Sequence, residues 1–142
     1  MLMAIPLLLV SVVIYNIVVL LGGADVGGGA AAASDLLRDP MFSIAMASGA
    51  RWEVGVGDLI LGLSLILLFF ELLKSTTSQR IAIINHALSM ILFVVCLVEF
   101  LLLPGFATST FFLIMTMVLL DVLAGFIVTI IASRKDFDFG HG

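Results

Sequence analysis

Apolar residues run along this chain in blocks rather than stripes. Residues 3–21, 52–73, 81–103 and 107–132 are almost continuously apolar, each near the ~20 residues an α-helix needs to cross a bilayer. A helix on a soluble core is apolar on one face only, whereas these runs are apolar all round, as helices among lipid and other helices are. The pattern predicts an all-α fold, a four-transmembrane-helix bundle with a short interfacial helical segment in the outer loop between helices 1 and 2. That loop covers residues 22–51. Its first part, 22–33, is Gly/Ala-rich and reads as irregular. The stretch 35–48 reads as one or two short helices, with Ser34 and Asp39 as N-caps and Pro40 at a first helical position. Leu36, Leu37, Met41, Phe42, Ile44 and Met46 make it apolar enough to lie on the headgroups or fold back over the bundle as a lid or docking surface.

The other connections are short. Residues 74–80 join the second and third runs and 104–106 join the third and fourth, so helices 2, 3 and 4 are expected as antiparallel neighbours in one compact unit. Helix 1 is tethered loosely. The whole chain, 1–142, reads as one membrane domain ending in a tail at 133–142. No basic residue precedes the first run, and the run exceeds the ~7–15 apolar residues of a signal peptide, so it is expected to stay as a helix. Lys74, Arg80, Arg134 and Lys135 fall on the side of the termini and only Arg38 and Arg51 on the other, which predicts cytoplasmic N- and C-termini. Trp52 is expected as an interfacial anchor.

Composition closes off several classes. The chain is 63% hydrophobic and 11% charged, with a mean hydropathy of +1.34, which leaves no room for a separate soluble domain. Its net charge of −4 is spread over the loops, with no basic block for nucleic acid. Cys96 is the single cysteine, which excludes an internal disulfide and a Cys-x-x-Cys pair; it reads as a small buried apolar residue.

Polar residues inside the apolar runs need a physical reason, because charge at membrane depth is costly unless neutralised, paired or wetted. Three acids stand out: Asp58, Glu99 and Asp121. On the third run Asn85, Ser89, Cys96 and Glu99 fall within about 80° on a helical wheel, with His86 beside them, and this stripe is expected to face protein. Asp121 lies near the centre of the fourth run with Thr110, Met117 and Gly125 on its face. The first run contributes Ser11, Tyr15 and Asn16. Counting about 1.5 Å per residue from the outer ends puts Asn16, Asp58 and Glu99 in one layer roughly 8–9 Å deep. Asp58 and Glu99 are expected close together, and a broken polar path continues inward through Ser89, Asp121 and His86. Gly55, Gly62 and Gly125 read as close helix-packing positions.

No phosphate loop, zinc motif or nucleophile triad is present, so the expectation is a non-enzyme with no cofactor and no metal. Small multidrug transporters carry a glutamate in helix 1, which this chain lacks. Composition and layout instead resemble small bacterial inner-membrane proteins. The expected partners are the lipid bilayer and other membrane-protein subunits or further copies of the chain. Two functions are open: a non-catalytic accessory subunit of a larger membrane complex, or a homo-oligomeric proton- or ion-coupled transporter using Asp58, Glu99 and Asp121 with His86 assisting.

Overall fold

A computed structural model describes residues 5–23, 28–74 and 79–138. The molecule is mostly helical: α1 (Leu8–Leu21), α2 (Gly29–Arg38), α3 (Val56–Lys74), α4 (Gln79–Leu102) and α5 (Ser109–Asp138). A hairpin of β1 (Pro40–Ala45) and β2 (Arg51–Gly55) precedes α3, and a single 3₁₀ turn, Pro104–Phe106, links α4 to α5. Three helices are long and apolar enough to cross a membrane: α3, α4 over Ala82–Leu102, and α5 over Ser109–Ile131. Their outward faces carry exposed Ile66, Phe69, Ile91, Val94, Phe126 and Ile127, as lipid-facing surfaces do. The described part of α1 is apolar but has 14 residues. At 1.5 Å per residue that is about 21 Å, short of the ~30 Å hydrocarbon core.

The long α5 is the hub, packed against α4, α3 and α1, while α3 and α4 meet each other at most weakly. The short 74–80 connection makes α3 and α4 consecutive, but α5 takes the place between them. The α1 helix rests on α3 and α5 through Leu8, Ser11, Val12, Tyr15 and Val19, spaced three and four apart. Elements therefore share two ends. The hairpin end gathers α2, both strands, the 3₁₀ turn and the starts of α3 and α5; the terminal end gathers the start of α1, the end of α3 and the start of α4.

The loop between α1 and α3 departs from the expectation. The Gly/Ala stretch expected to be irregular forms α2 from Gly29 onward, and Ser34 sits inside that helix rather than at its cap. Poly-alanine at 30–33 has the strongest helix propensity available, and Ala33 and Leu37 bury one face of α2 against the 3₁₀ turn and α3. Asp39 ends α2, and Pro40 opens a strand instead of a helix. The strands pair antiparallel, with Ile44 opposite Trp52 and Phe42 opposite Val54, and a bulge between Pro40 and Phe42. Gly49, at φ +84, supplies the left-handed residue that reverses the chain. Trp52 is thus a half-exposed strand residue. Two further boundaries move: α3 starts at Val56 rather than at 52, and α5 continues through Asp138, taking in residues 133–138 of the expected tail. The first residues of the 3–21 run and the last four of the chain lie outside the described residues.

Candidate functional site: buried polar groups between the helices

At the terminal end lies an acid absent from the sequence expectations, the most connected among the described residues. Glu71 lies in the last turn of α3 on a buried stripe of Gly57, Ile60, Ser64 and Leu68, spaced three and four apart. It is completely buried. Its Oε2 accepts the Leu7 backbone N–H at 2.5 Å, and its Oε1 accepts the Asn85 amide at 2.5 Å and faces the Lys74 ammonium at 2.9 Å. Leu7 precedes α1, where a helix start leaves N–H groups without intrahelical partners and carries positive dipole. Glu71 therefore caps α1 from another helix. Lys74 completes the strap by donating to the Ile5 carbonyl at 2.7 Å. Near an end of a run, Glu71 with Lys74 three residues on looks like an interfacial ion pair; its place on the Ser64 stripe was the signal that it points inward.

One turn toward the hairpin end, Ser89 donates to Asp121 Oδ2 at 2.5 Å. Both residues are buried. The expected stripe of α4 does face protein: Asn85, Ser89 and Cys96 are buried, Leu92 lies among them, and Glu99 is half-buried at its end. His86 packs on Gly125, where an added Cβ would come within 2.6 Å of His86 Nδ1. That is a close helix approach of the kind expected for Gly125. His86 Nδ1 itself is buried without a hydrogen-bond partner, as are Ser11 Oγ and Asn85 Oδ1.

Asn16 and Glu99 meet as expected, the amide donating at 3.4 Å while also holding the Val12 carbonyl at 3.0 Å. Asp58 does not join them. Because residues 51–55 are spent on a strand, Asp58 falls in the first turn of α3, exposed, where its Oδ2 accepts the Gly55 N–H at 3.0 Å. A carboxylate three residues into a helix, reaching back to the preceding N–H, is half of a capping box and suits the positive helix end. The proposed Asp58–Glu99 pair is therefore not formed, and the polar path splits: Glu99 belongs to a groove between α1 and α4, and Asp121 to the bundle interior.

The expected glycine contacts also divide. At Gly55 a Cβ would lie 2.7 Å from the Leu37 carbonyl, so α2 presses on the start of α3 there. At Gly62 a Cβ would meet nothing within 4 Å, and the residue is exposed. The reading of Gly62 as a packing position inside this bundle is corrected accordingly.

Tyr15 organises the hairpin end. Its hydroxyl meets Thr108 Oγ1 at 2.5 Å and donates to the Gly105 carbonyl at 3.2 Å. Thr108 in turn caps α5 by accepting the Phe111 N–H at 3.2 Å. The Tyr15 ring packs on Phe106 and Phe111 with centroids 5.4 and 4.7 Å apart, and the two phenylalanines meet edge-on. Close by, a polar pocket of about 300 Å³ is lined by Ser34, Arg38, Glu53, Asp58, Ser109 and Thr110 among others.

Chemically, this arrangement stores acids, hydroxyls and amides between helices and offers no activated nucleophile among the described residues. No group of three or more His, Cys, Asp or Glu able to hold a metal ion occurs among them either. Compared with known proteins, the chain matches no family model, no curated protein and no solved structure.

Proposed function

We propose that this chain is a non-catalytic subunit of a larger assembly in a bacterial inner membrane. In this reading α1 is the fourth span beside α3, α4 and α5, and both termini lie in the cytoplasm. The observation that carries it is the hairpin. Every residue of β1 is exposed although it includes Met41, Phe42 and Ile44, and Trp52 stands exposed opposite Ile44. An isolated two-stranded ribbon is marginal in water, and exposed apolar clusters mark contact surfaces. The interior acids support the same reading from the other side. Glu71 and Asp121 spend their hydrogen bonds within the chain, which makes the bundle a self-contained scaffold and leaves docking to its surface.

Extraction from native membranes in a mild detergent, followed by mass determination of the intact particle, tests this. A heterologous partner at fixed stoichiometry that is lost in Phe42→Asp supports it. A monomer, or a particle holding copies of this chain alone, overturns it. A second reading, a homo-oligomeric ion-coupled transporter, draws on the buried Asp121 carboxyl held by Ser89 and on the buried Ser11 and Asn85 oxygens without a hydrogen-bond partner. It predicts ion flux in liposomes that Asp121→Asn abolishes.

A further inference from the structure

We propose that the polar pocket at the hairpin end binds the phosphoethanolamine headgroup of a membrane lipid, with the phosphate on Arg38 and the ammonium on Glu53. The site is independent of the hairpin's docking surface and of the interior acids.

Close contacts around Gly55 and Gly57 build the pocket. A Cβ on Gly55 would lie 3.3 Å from Arg38 Cα. One on Gly57 would lie 3.2 Å from the Leu37 carbonyl oxygen and 3.1 Å from Thr110 Oγ1. The end of α2, the end of β2 and the first turns of α3 and α5 therefore converge at one junction. Beside it lies the cavity of about 300 Å³, roughly ten waters in volume at ~30 Å³ each. Arg38, Glu53, Asp58 and the hydroxyls of Ser34, Ser109 and Thr110 line it. Such walls suit a small polar group and repel an acyl chain.

Two of these side chains carry opposite charge and are left unused. Arg38 and Glu53 line the same cavity, yet among the described residues neither side chain forms an ion pair or a hydrogen bond. Asp58 differs, because its Oδ2 already accepts the Gly55 N–H at the start of α3. A cation and an anion that face one cavity without meeting are bridged by a ligand that carries both charges. Phosphate suits the guanidinium, whose parallel N–H groups match two of its oxygens. A primary ammonium offers three donors to the Glu53 carboxylate, whereas a quaternary amine offers none.

Depth selects the source of the headgroup. The membrane-crossing lengths of α3 and α5 begin at Val56 and Ser109, so the pocket lies where these helices enter the bilayer, at headgroup level. Leu59 and Phe112, exposed in the first turns of the same helices, give the lipid tails apolar surface.

The test uses the full chain purified in mild detergent and incubated with phosphatidylethanolamine, phosphatidylcholine and phosphatidylglycerol in equal amounts. Native mass spectrometry of the intact particle counts the lipid retained. The expected result is retention of phosphatidylethanolamine, favoured roughly tenfold over the other two. Arg38→Ala is expected to abolish that retention. Glu53→Gln is expected to erase the preference for ethanolamine over choline. An unchanged ratio in Glu53→Gln overturns the proposal, because a merely structural Glu53 would not read the amine. Equal retention of all three lipids overturns it too, as does a preference for phosphatidylglycerol, which assigns the pocket to anions alone. Displacement of the lipid by an equal concentration of water-soluble glycerophosphoethanolamine would transfer the site to a soluble ligand and overturn the lipid assignment. Both side chains are exposed, so each variant is expected to keep the parent's melting midpoint in lipid-free detergent. Should either fail to fold, the parent's choice among the lipids decides alone.

Discussion

The two ends of the bundle are held together by different physics. At the terminal end a buried carboxylate, Glu71, gathers a backbone N–H, an amide and an ammonium from α1, α4 and its own helix. At the hairpin end Tyr15, Phe106 and Phe111 interlock as rings, and the polar contribution is a hydroxyl pair that caps α5. The first is directional and depends on charge; the second depends on shape. Lipid tails are as apolar as leucine, so apolar burial does little to hold spanning helices together. Polar contacts must then fix which helix meets which where the helices run side by side. Ring packing suffices where the chain turns, between α4 and α5.

The largest expected effect breaks the terminal end. Glu71→Ala removes the acceptor shared by the Leu7 N–H, the Asn85 amide and the Lys74 ammonium, and removing one partner of a buried ion pair costs about 3–5 kcal/mol. Equilibrium unfolding in mixed micelles measures it, and a loss under about 1 kcal/mol would show that the carboxylate is not the anchor. Next comes Gly125→Ala, which drives a methyl against the stem of His86. Overpacking of this kind costs about 1–3 kcal/mol, and His86→Ala in the same chain is expected to relieve it. Tyr15→Phe keeps the rings and deletes the hydroxyl bonds, so a loss of about 1 kcal/mol is expected; a loss as large as that of Glu71→Ala would erase the contrast between the ends. Combining Tyr15→Phe with Glu71→Gln is expected to be additive within about 0.5 kcal/mol, because the sites share no partner. The smallest effect is at Gly62, where Ala meets no neighbour and gains up to about 1 kcal/mol of helix propensity. A destabilised Gly62→Ala would instead reveal a second chain packed there.

Much of this was legible beforehand because membranes impose strong local rules. The all-round apolar runs at 52–73, 81–103 and 107–132 map onto α3, α4 and α5 within a few residues, and the inward stripe of α4 follows directly from helical period. Asn16 and Glu99 could be paired by depth alone. The hairpin could have been suspected from Ser48-Gly49 between two short runs, 40–46 and 51–55, with Trp52 and Val54 alternating. Counting Met41, Phe42, Ile44 and Met46 as a helix face hid it. That single error displaced Asp58 by about a turn and created a carboxylate pair that does not exist.

By itself the sequence determined that α3, α4 and α5 are long and apolar enough to cross a membrane and which faces of α4 and α5 turn inward. Hydrophobicity and the 3.6-residue period are properties of each segment alone. Only the tertiary structure decided which acid meets which donor. Glu71 finds the start of α1 across 64 positions of chain, Ser89 finds Asp121 across 32, and α5 rather than α4 lies against α3. Lateral order among spanning helices depends on how side chains from several segments satisfy one another at once, and no single segment carries that information.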